Sequence, residues 1–177
     1  MKSQNSIQQS IRQTQGFTFI EVLIAILVIS IGLLGMAGLQ TTGIQQSHNS
    51  YLKTQASILA YDMADRMRAN LQGVADGEYN DVDSVNSPVK AEPGCISSNS
   101  PCSSEDTASH DIYQWTHKSA TGSVANQLPS GFGMVSQNGG IFTITVLWDE
   151  ARTGATGTDC SSDYKKDLKC FKLEFRP

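Results

Sequence analysis

The chain has 177 residues, which is enough for one globular domain and an extended element. Its formal net charge is −4, and its first sixteen residues carry only basic charges, Lys2 and Arg12, so the remainder is more acidic than the total. An acidic segment of this kind has no general electrostatic attraction for phosphate backbones, which argues against bulk nucleic-acid binding.

Residues 17–39 form an apolar run in which Glu21 is the one charged residue. A helix of this length spans about 35 Å, enough to cross the hydrocarbon core of a membrane. The basic segment before it favours a cytoplasmic location for residues 1–16. A secretory signal peptide would place its small-residue cleavage site after the apolar run, whereas here Gly16 precedes the run.

The position of the Glu21 carboxylate can be interpreted in two ways. At the depth of the hydrocarbon core it costs about 2.5–3.5 kcal/mol, and it would then mark a functional contact. At headgroup level, near the helix N-terminus, the macrodipole would favour it.

The sequence GFTFIE at 16–21, followed by VLIAILVISIGLLG, resembles the leader region of type IV prepilins and pseudopilins. The resemblance implies cleavage between Gly16 and Phe17 by prepilin peptidase, and N-methylation of the new Phe17 amine. It also implies an assembly role for Glu21. The physics agrees: a charge buried in a helix bundle is penalised unless it is paired, so pairing with a neighbouring subunit's terminal amine would select one axial register.

The helical pattern continues beyond Leu39. Apolar residues recur at intervals of four and seven, which predicts an amphipathic helix over 41–72 that packs on a domain and ends near Gly73. The predicted stripe consists of Ile44, Tyr51, Leu52, Ile58, Leu59, Met63, Met67 and Leu71.

Residues 73–110 are rich in Gly, Ser, Asn and Pro and are expected to be a loop-rich connection. The acidic residues Asp76, Glu78, Asp81 and Asp83 lack the glycine and the final glutamate of an EF-hand, so a solvated loop is expected there. His110 and His117 have no third ligand at a convincing spacing, and we predict no metal site.

The even number of cysteines, without CxxC spacing, favours disulfides in an oxidising compartment over zinc or buried thiols. Three connectivities of Cys95, Cys102, Cys160 and Cys170 are open, and the sequence-local choice joins Cys95 to Cys102 and Cys160 to Cys170.

Towards the C-terminus, Ile112 and Trp115 indicate a short helix over 111–118. Alternating apolar residues predict strands over 133–137, 141–148 and 171–176, with a turn at 138–140 and a polar loop over 149–169. The expected fold is therefore α+β and pilin-like, with a long N-terminal helix packed on a small antiparallel sheet.

The segments AYDMADRMRAN at 60–70 and LPSGFG…FTITVLWDE at 128–150 look like those of PilV-type minor pilins. This resemblance implies a leader over 1–16, a transmembrane and assembly helix over 17–40, its amphipathic continuation over 41–72, and a periplasmic domain over 73–177. It implies an inner-membrane protein that enters a pilus and helps to prime assembly.

Other minor and major pilins, prepilin peptidase, the assembly platform and membrane lipid are the expected partners. We predict no cofactor and no catalysis, because no nucleophile–base set has motif spacing. The alternatives are a type II secretion pseudopilin and a pilin that captures DNA or a host surface. For DNA capture, the nearest basic segment includes Lys165, Lys166, Lys169 and Lys172 with Tyr164 and Phe171.

Overall fold

A computed structural model describes residues 16–87, 91–97 and 100–177. The predicted leader lies outside the described residues except for Gly16. The chain divides into two units, Met1–Gln45 and Gln46–Pro177, which are treated separately below.

In the first unit, helix α1 begins at Phe19, two residues after the start of the apolar run. It is uninterrupted through Gly32, Gly35 and Gly38, although glycine lowers helix propensity. Three hydroxyl side chains of this unit bond to the carbonyl four residues earlier, as Ser30 Oγ does to the Ile26 oxygen at 2.7 Å. These bonds satisfy polar groups without an external partner.

The second unit contains the C-terminal part of α1, which spans Phe19–Ala69 in all, and seven further helices and strands. The helices are α2 (Leu71–Ala75), α3 (Ser104–Thr116) and α4 (Val124–Gln127), and a 3-10 turn covers Gly94–Ser97. The strands are β1 (Val82–Asp83), β2 (Phe132–Asn138), β3 (Ile141–Trp148) and β4 (Lys169–Phe175).

The four strands form one antiparallel sheet in the order β1-β2-β3-β4. Gly139 and Gly140 connect β2 to β3, with φ of 58° and 79°, a conformation that glycine adopts without a steric penalty. Pairing of Ile144 with Val135 on one side and Leu173 on the other aligns apolar residues on one face. The α+β, pilin-like fold class is confirmed.

The core of the second unit lies between this face and α1. One face of α1 is buried there against Trp115, Val135, Phe142 and Ile144. The buried residues of this helix face are Leu52, Ala56, Leu59, Ala60, Met63, Ala64 and Met67.

The prediction of one apolar stripe is wrong, because Ile44, Tyr51, Ile58 and Leu71 are exposed. Each residue turns a helix by about 100°, so two heptad series offset by one residue face different directions. In the second unit, the buried series includes Leu52 and Leu59, whereas Tyr51 and Ile58 of the other series face away from the core.

Two helix boundaries also differ from the prediction. The chain leaves α1 at Ala69, and Gly73 lies inside α2, where its N–H donates to Asn70 Oδ1 at 3.2 Å. Helix α3 begins at Ser104 and not near Asp111, because Ser103 and Asp106 form a capping box that satisfies the first N–H groups.

Residues 149–168 form the predicted loop, apart from an isolated bridge between Gly157 and Asp167. A second small core of Leu147, Ala155 and Leu168 lies beneath this loop. The buried Asp149 carboxylate accepts N–H bonds from Thr153 at 3.1 Å and Gly154 at 2.7 Å, which orders the loop where it leaves β3.

Candidate assembly site

The Gly16–Phe17 peptide bond precedes the first turn of α1 and is exposed to solvent. Phe17 retains 83% of its accessible surface. The helix starts after it, where the Thr18 carbonyl accepts the N–H groups of Glu21 at 3.0 Å and Val22 at 3.3 Å. The bond therefore lies outside the helix.

Glu21 lies in the first turn of α1, and its side chain is exposed. The N–H groups of this turn give the helix end a partial positive charge that favours a carboxylate. Glu21 lies four positions after Phe17 in sequence. Its carboxylate and a new Phe17 amine would therefore both lie near the N-terminal end of α1. Both readings of Glu21, a dipole partner and an assembly contact, are compatible with this position.

The helix that follows presents an apolar surface with no covering inside the described chain. Fifteen large apolar side chains between residues 17 and 39 are exposed. By length and composition this part of α1 can cross a membrane. Burying each such side chain is worth about 1.5–3 kcal/mol, so lipid or other helices must cover this surface in the cell.

Three glycines of the apolar run, Gly32, Gly35 and Gly38, do not pack against other described residues of the chain. An added Cβ at Gly32, Gly35 or Gly38 would meet no atom within 4 Å. Glycine at such positions lets the backbone of another helix approach closely. This part of the helix is therefore suited to contact with other helices.

A polar network in the second unit holds the end of α1 to the residues that follow. Tyr79 donates a hydrogen bond of 2.6 Å to Asp111, whose other oxygen lies 3.4 Å from Arg66. Arg66 also pairs with Asp62 at 2.9 Å, and Asn70 Nδ2 donates to the Tyr79 hydroxyl at 3.2 Å. Burial and the bond to Asp111 raise the pKa of Tyr79 above its usual range.

The sequence analysis did not connect Tyr79 with Asp111. These two residues lie 32 positions apart, and no local motif links them. A buried tyrosine needs a partner for its hydroxyl, but the sequence does not say which residue provides it.

The predicted acidic string forms ordinary loop contacts. Asp76 accepts bonds from Gln72 Nε2, and Asp83 accepts N–H bonds from Val85 at 2.9 Å and Asn86 at 3.1 Å. Burial acts to raise the pKa of Asp83, but these bonds and one from the Asn86 side chain together lower it. Within the described residues, no group of three or more His, Cys, Asp or Glu side chains could hold a metal ion.

His110 and His117 make contacts with different residues. His110 Nδ1 lies 3.4 Å from Glu92, and the ring of His117 stacks on Tyr113 with centroids 4.4 Å apart. Nδ1 of His117 accepts the N–H of Ser119, so it is not free to bind a metal.

Disulfides join Cys95 to Cys102 and Cys160 to Cys170, with Cα atoms 5.3 and 5.5 Å apart. This is the sequence-local connectivity. The first closes the loop before α3, and the second attaches the loop over 149–168 to β4. The basic segment at 164–172 shares this region with Asp163 and the buried Asp167.

An exposed apolar helix that continues into a helix packed on a four-stranded antiparallel sheet defines a pilin-like subunit. Residues 11–37 match the prokaryotic N-terminal methylation motif, and residues 38–113 match the family described as type IV pilin Tt1218. These adjoining matches support a type IV pilin subunit anchored in a membrane. No curated protein and no solved structure matched the chain.

Proposed function

We propose that this chain is a minor pilin of a type IV pilus that helps to prime assembly together with other minor pilins. The observation that carries the proposal is the combination at the start of α1. An exposed Gly16–Phe17 bond lies outside the helix, Glu21 lies in its first turn, and a fully exposed apolar surface follows.

The proposed maturation begins in the inner membrane, with the leader in the cytoplasm and the sheet-containing unit in the periplasm. Prepilin peptidase cuts between Gly16 and Phe17, and the new Phe17 amine is methylated. Two disulfides, Cys95–Cys102 and Cys160–Cys170, fit a domain that folds in an oxidising compartment. The subunit then leaves the membrane through the assembly platform and enters the pilus at the cell surface.

Glu21 fixes the register of the incoming subunit in this proposal. Inside a bundle of apolar helices, the carboxylate would remain unpaired at most axial offsets and would be penalised there. Pairing with the methylated Phe17 amine of a neighbouring subunit removes this penalty at one offset. Gly32, Gly35 and Gly38 allow the close helix contacts that such pairing requires.

The exposed series Ile44, Tyr51 and Ile58 supports contacts between subunits further along α1. Tyr51 and Ile58 each retain 54% of their accessible surface, although the other series of the same helix is buried. A heptad-spaced apolar series fits packing against another helix. The periplasmic domain would add a surface that distinguishes one partner pilin from another.

The proposal includes no catalytic activity, because type IV pilins are structural subunits. A type II secretion pseudopilin is the second candidate, since it would share the leader and the helix. A pilin that binds DNA or a host surface is the third. Lys165, Lys166 and Lys172 are exposed, but Asp163 and Asp167 lie in the same segment, which weakens a continuous basic surface.

The proposal is tested by mass spectrometry of the protein from its native membrane and from sheared pili. The expected N-terminus is methylated Phe17, and the chain should be present in pili in low amounts. An intact Met1 in cells with active prepilin peptidase would overturn the pilin assignment. Gene deletion in a piliated strain, followed by counting of filaments, separates a pilus subunit from a secretion pseudopilin.

A DNA-capture role is tested separately by an electrophoretic shift at two salt concentrations. Binding that is lost in Lys165→Gln/Lys166→Gln, while pilus number stays normal, would favour the third candidate. Absence of a shift at both salt concentrations would argue against DNA capture.

A further inference from the structure

The hairpin between β2 and β3 ends in an Asn–Gly pair at the surface. Asn138 is the last residue of β2 and pairs with Ile141 across Gly139 and Gly140. All residues from Ser136 to Ile141 are exposed. An added Cβ at either glycine would meet no atom within 4 Å, so the space around this turn is open.

We propose that Asn138 is a site of spontaneous deamidation in the folded protein. The backbone nitrogen of Gly139 attacks Cγ of Asn138, forming a new C–N bond and losing its proton. The bond from Cγ to the side-chain nitrogen breaks, and ammonia leaves with that proton. Water then opens the cyclic imide at either carbonyl, giving aspartate or isoaspartate at position 138. No oxidant or reductant is needed.

The reacting groups at Asn138 are not held by hydrogen bonds. Among the described residues, no hydrogen bond engages the Asn138 side chain or the N–H of Gly139. Because glycine has no Cβ, nothing crowds the attacking nitrogen. The corresponding cyclisation at Asp76, which would release water, is hindered because Gly77 N–H donates to the Val74 carbonyl and Gln72 holds the carboxylate.

Two other asparagines of the second unit are protected in similar ways. Asn70 is buried and bonds to Tyr79 and Ser104. The nitrogen that would attack Asn126 belongs to Gln127 and donates to the Ser123 carbonyl at 2.9 Å. Asn126 is also exposed, so it provides an internal control with equal access to solvent.

Attack requires the main chain at Asn138 to rotate away from the extended strand conformation. Only the last pair of the ladder, Asn138 with Ile141, has to open for this rotation. The next pair includes Phe142, which is buried, so the opening does not reach the core. Strand ends open at low free-energy cost compared with core strands.

The products change the surface and leave the core in place. Each adds a negative charge at the hairpin tip, and isoaspartate also adds a methylene to the main chain, which removes the last ladder pair. The buried pair of Val135 with Ile144 is unaffected. In the pilus of the proposed function, subunits with altered charge at this turn would therefore accumulate with time.

The experiment uses the full chain purified in detergent and incubated at mildly alkaline pH. Peptide mapping by mass spectrometry follows conversion of each asparagine, and isoaspartyl methyltransferase labels isoaspartate independently. Conversion of Asn138 should be on the order of tenfold faster than that of Asn126, because glycine lacks the crowding Cβ. Asn138→Ser should remove most of the label, and Asn126→Ser should leave it almost unchanged.

Equal rates at Asn138 and Asn126 in the folded chain would overturn the proposal. So would an Asn138 that reacts only after denaturation, since the fold would then protect it. The melting temperature of the converted protein should match that of Asn138→Asp and stay close to that of the original chain.

Discussion

Gly133 lies against the ring of Trp115, one of the most deeply buried side chains of the second unit. A Cβ at this position would overlap with Cζ3 and Cη2 of the ring. Trp115 cannot move away easily, because its Nε1 donates to the Leu59 carbonyl at 2.8 Å. The contact makes glycine a packing requirement at the second position of β2, although glycine within a strand is otherwise unfavourable.

We therefore expect Gly133→Ala to lower the free energy of unfolding by about 1–3 kcal/mol, as overpacked cores do. Chemical denaturation followed by tryptophan fluorescence measures the change. Gly94→Ala is the matched control, because an added Cβ there meets no atom within 4 Å. Equal stability of the two variants would show that the ring relaxes without cost.

Tyr79 gives a second prediction at the residue scale. Tyr79→Phe leaves the Asp111 carboxylate without its hydroxyl donor and should cost about 1–3 kcal/mol. Tyr164→Phe, at an exposed tyrosine, should change stability little. Urea denaturation of both variants measures the difference.

The pH dependence follows from the raised pKa of Tyr79. The unfolded chain loses the hydroxyl proton near the usual tyrosine pKa of about 10, whereas the folded chain keeps it at higher pH. The folded state then binds more protons, so its stability falls as pH rises above that value. Tyr79→Phe should show a smaller alkaline loss than the original chain, and an identical loss would contradict this account.

At the scale of elements, α1 combines two apolar series with different uses. The adjacent residues Ile58 and Leu59 belong to different series, and 54% of Ile58 is accessible against 5% of Leu59. Leu59→Ala should lower stability by about 2–5 kcal/mol, because it leaves a cavity in the core. Ile58→Ala should leave stability almost unchanged and reduce incorporation into pili.

Thermal denaturation and immunoblots of sheared pili separate these effects. If Ile58→Ala lowered stability as much as Leu59→Ala, or if it entered pili normally, the exposed series would not be an assembly surface. The comparison is sharp because the two residues are neighbours on one helix and the truncations are similar.

The long elements could be predicted because their patterns are local. The alternation of IFTITVLW predicted β3 with its observed bounds, Ile141–Trp148, and the alternation after Cys170 predicted β4. Strand β1 has only Val82 and Asp83, too few residues for a pattern, and it forms through its pairing with β2. The capping box at Ser103 was a local signal for α3 that the sequence analysis did not use.

In the proposed function, two different parts of the chain have two different tasks. The proposed roles of Gly16 and Glu21 could be predicted from sequence because a peptidase site and a register contact each need only a short segment with fixed spacing. The network of Arg66, Tyr79 and Asp111 could not, because its members meet only in the folded domain. The first task, as proposed, is association through apolar surface, and the second is a rigid domain stabilised by core packing, polar contacts and disulfides.

In the proposed assembly, association depends on the charge of Glu21, and two substitutions separate charge from shape. Glu21→Gln keeps the size of the side chain and removes its charge, whereas Glu21→Val also makes it apolar. If register requires pairing with a neighbour's Phe17 amine, both variants should insert and be cleaved at Gly16 but be depleted from sheared pili, because neither carries the counter-charge. Normal incorporation of Glu21→Gln alone would show that hydrogen bonding, and not charge, sets the register.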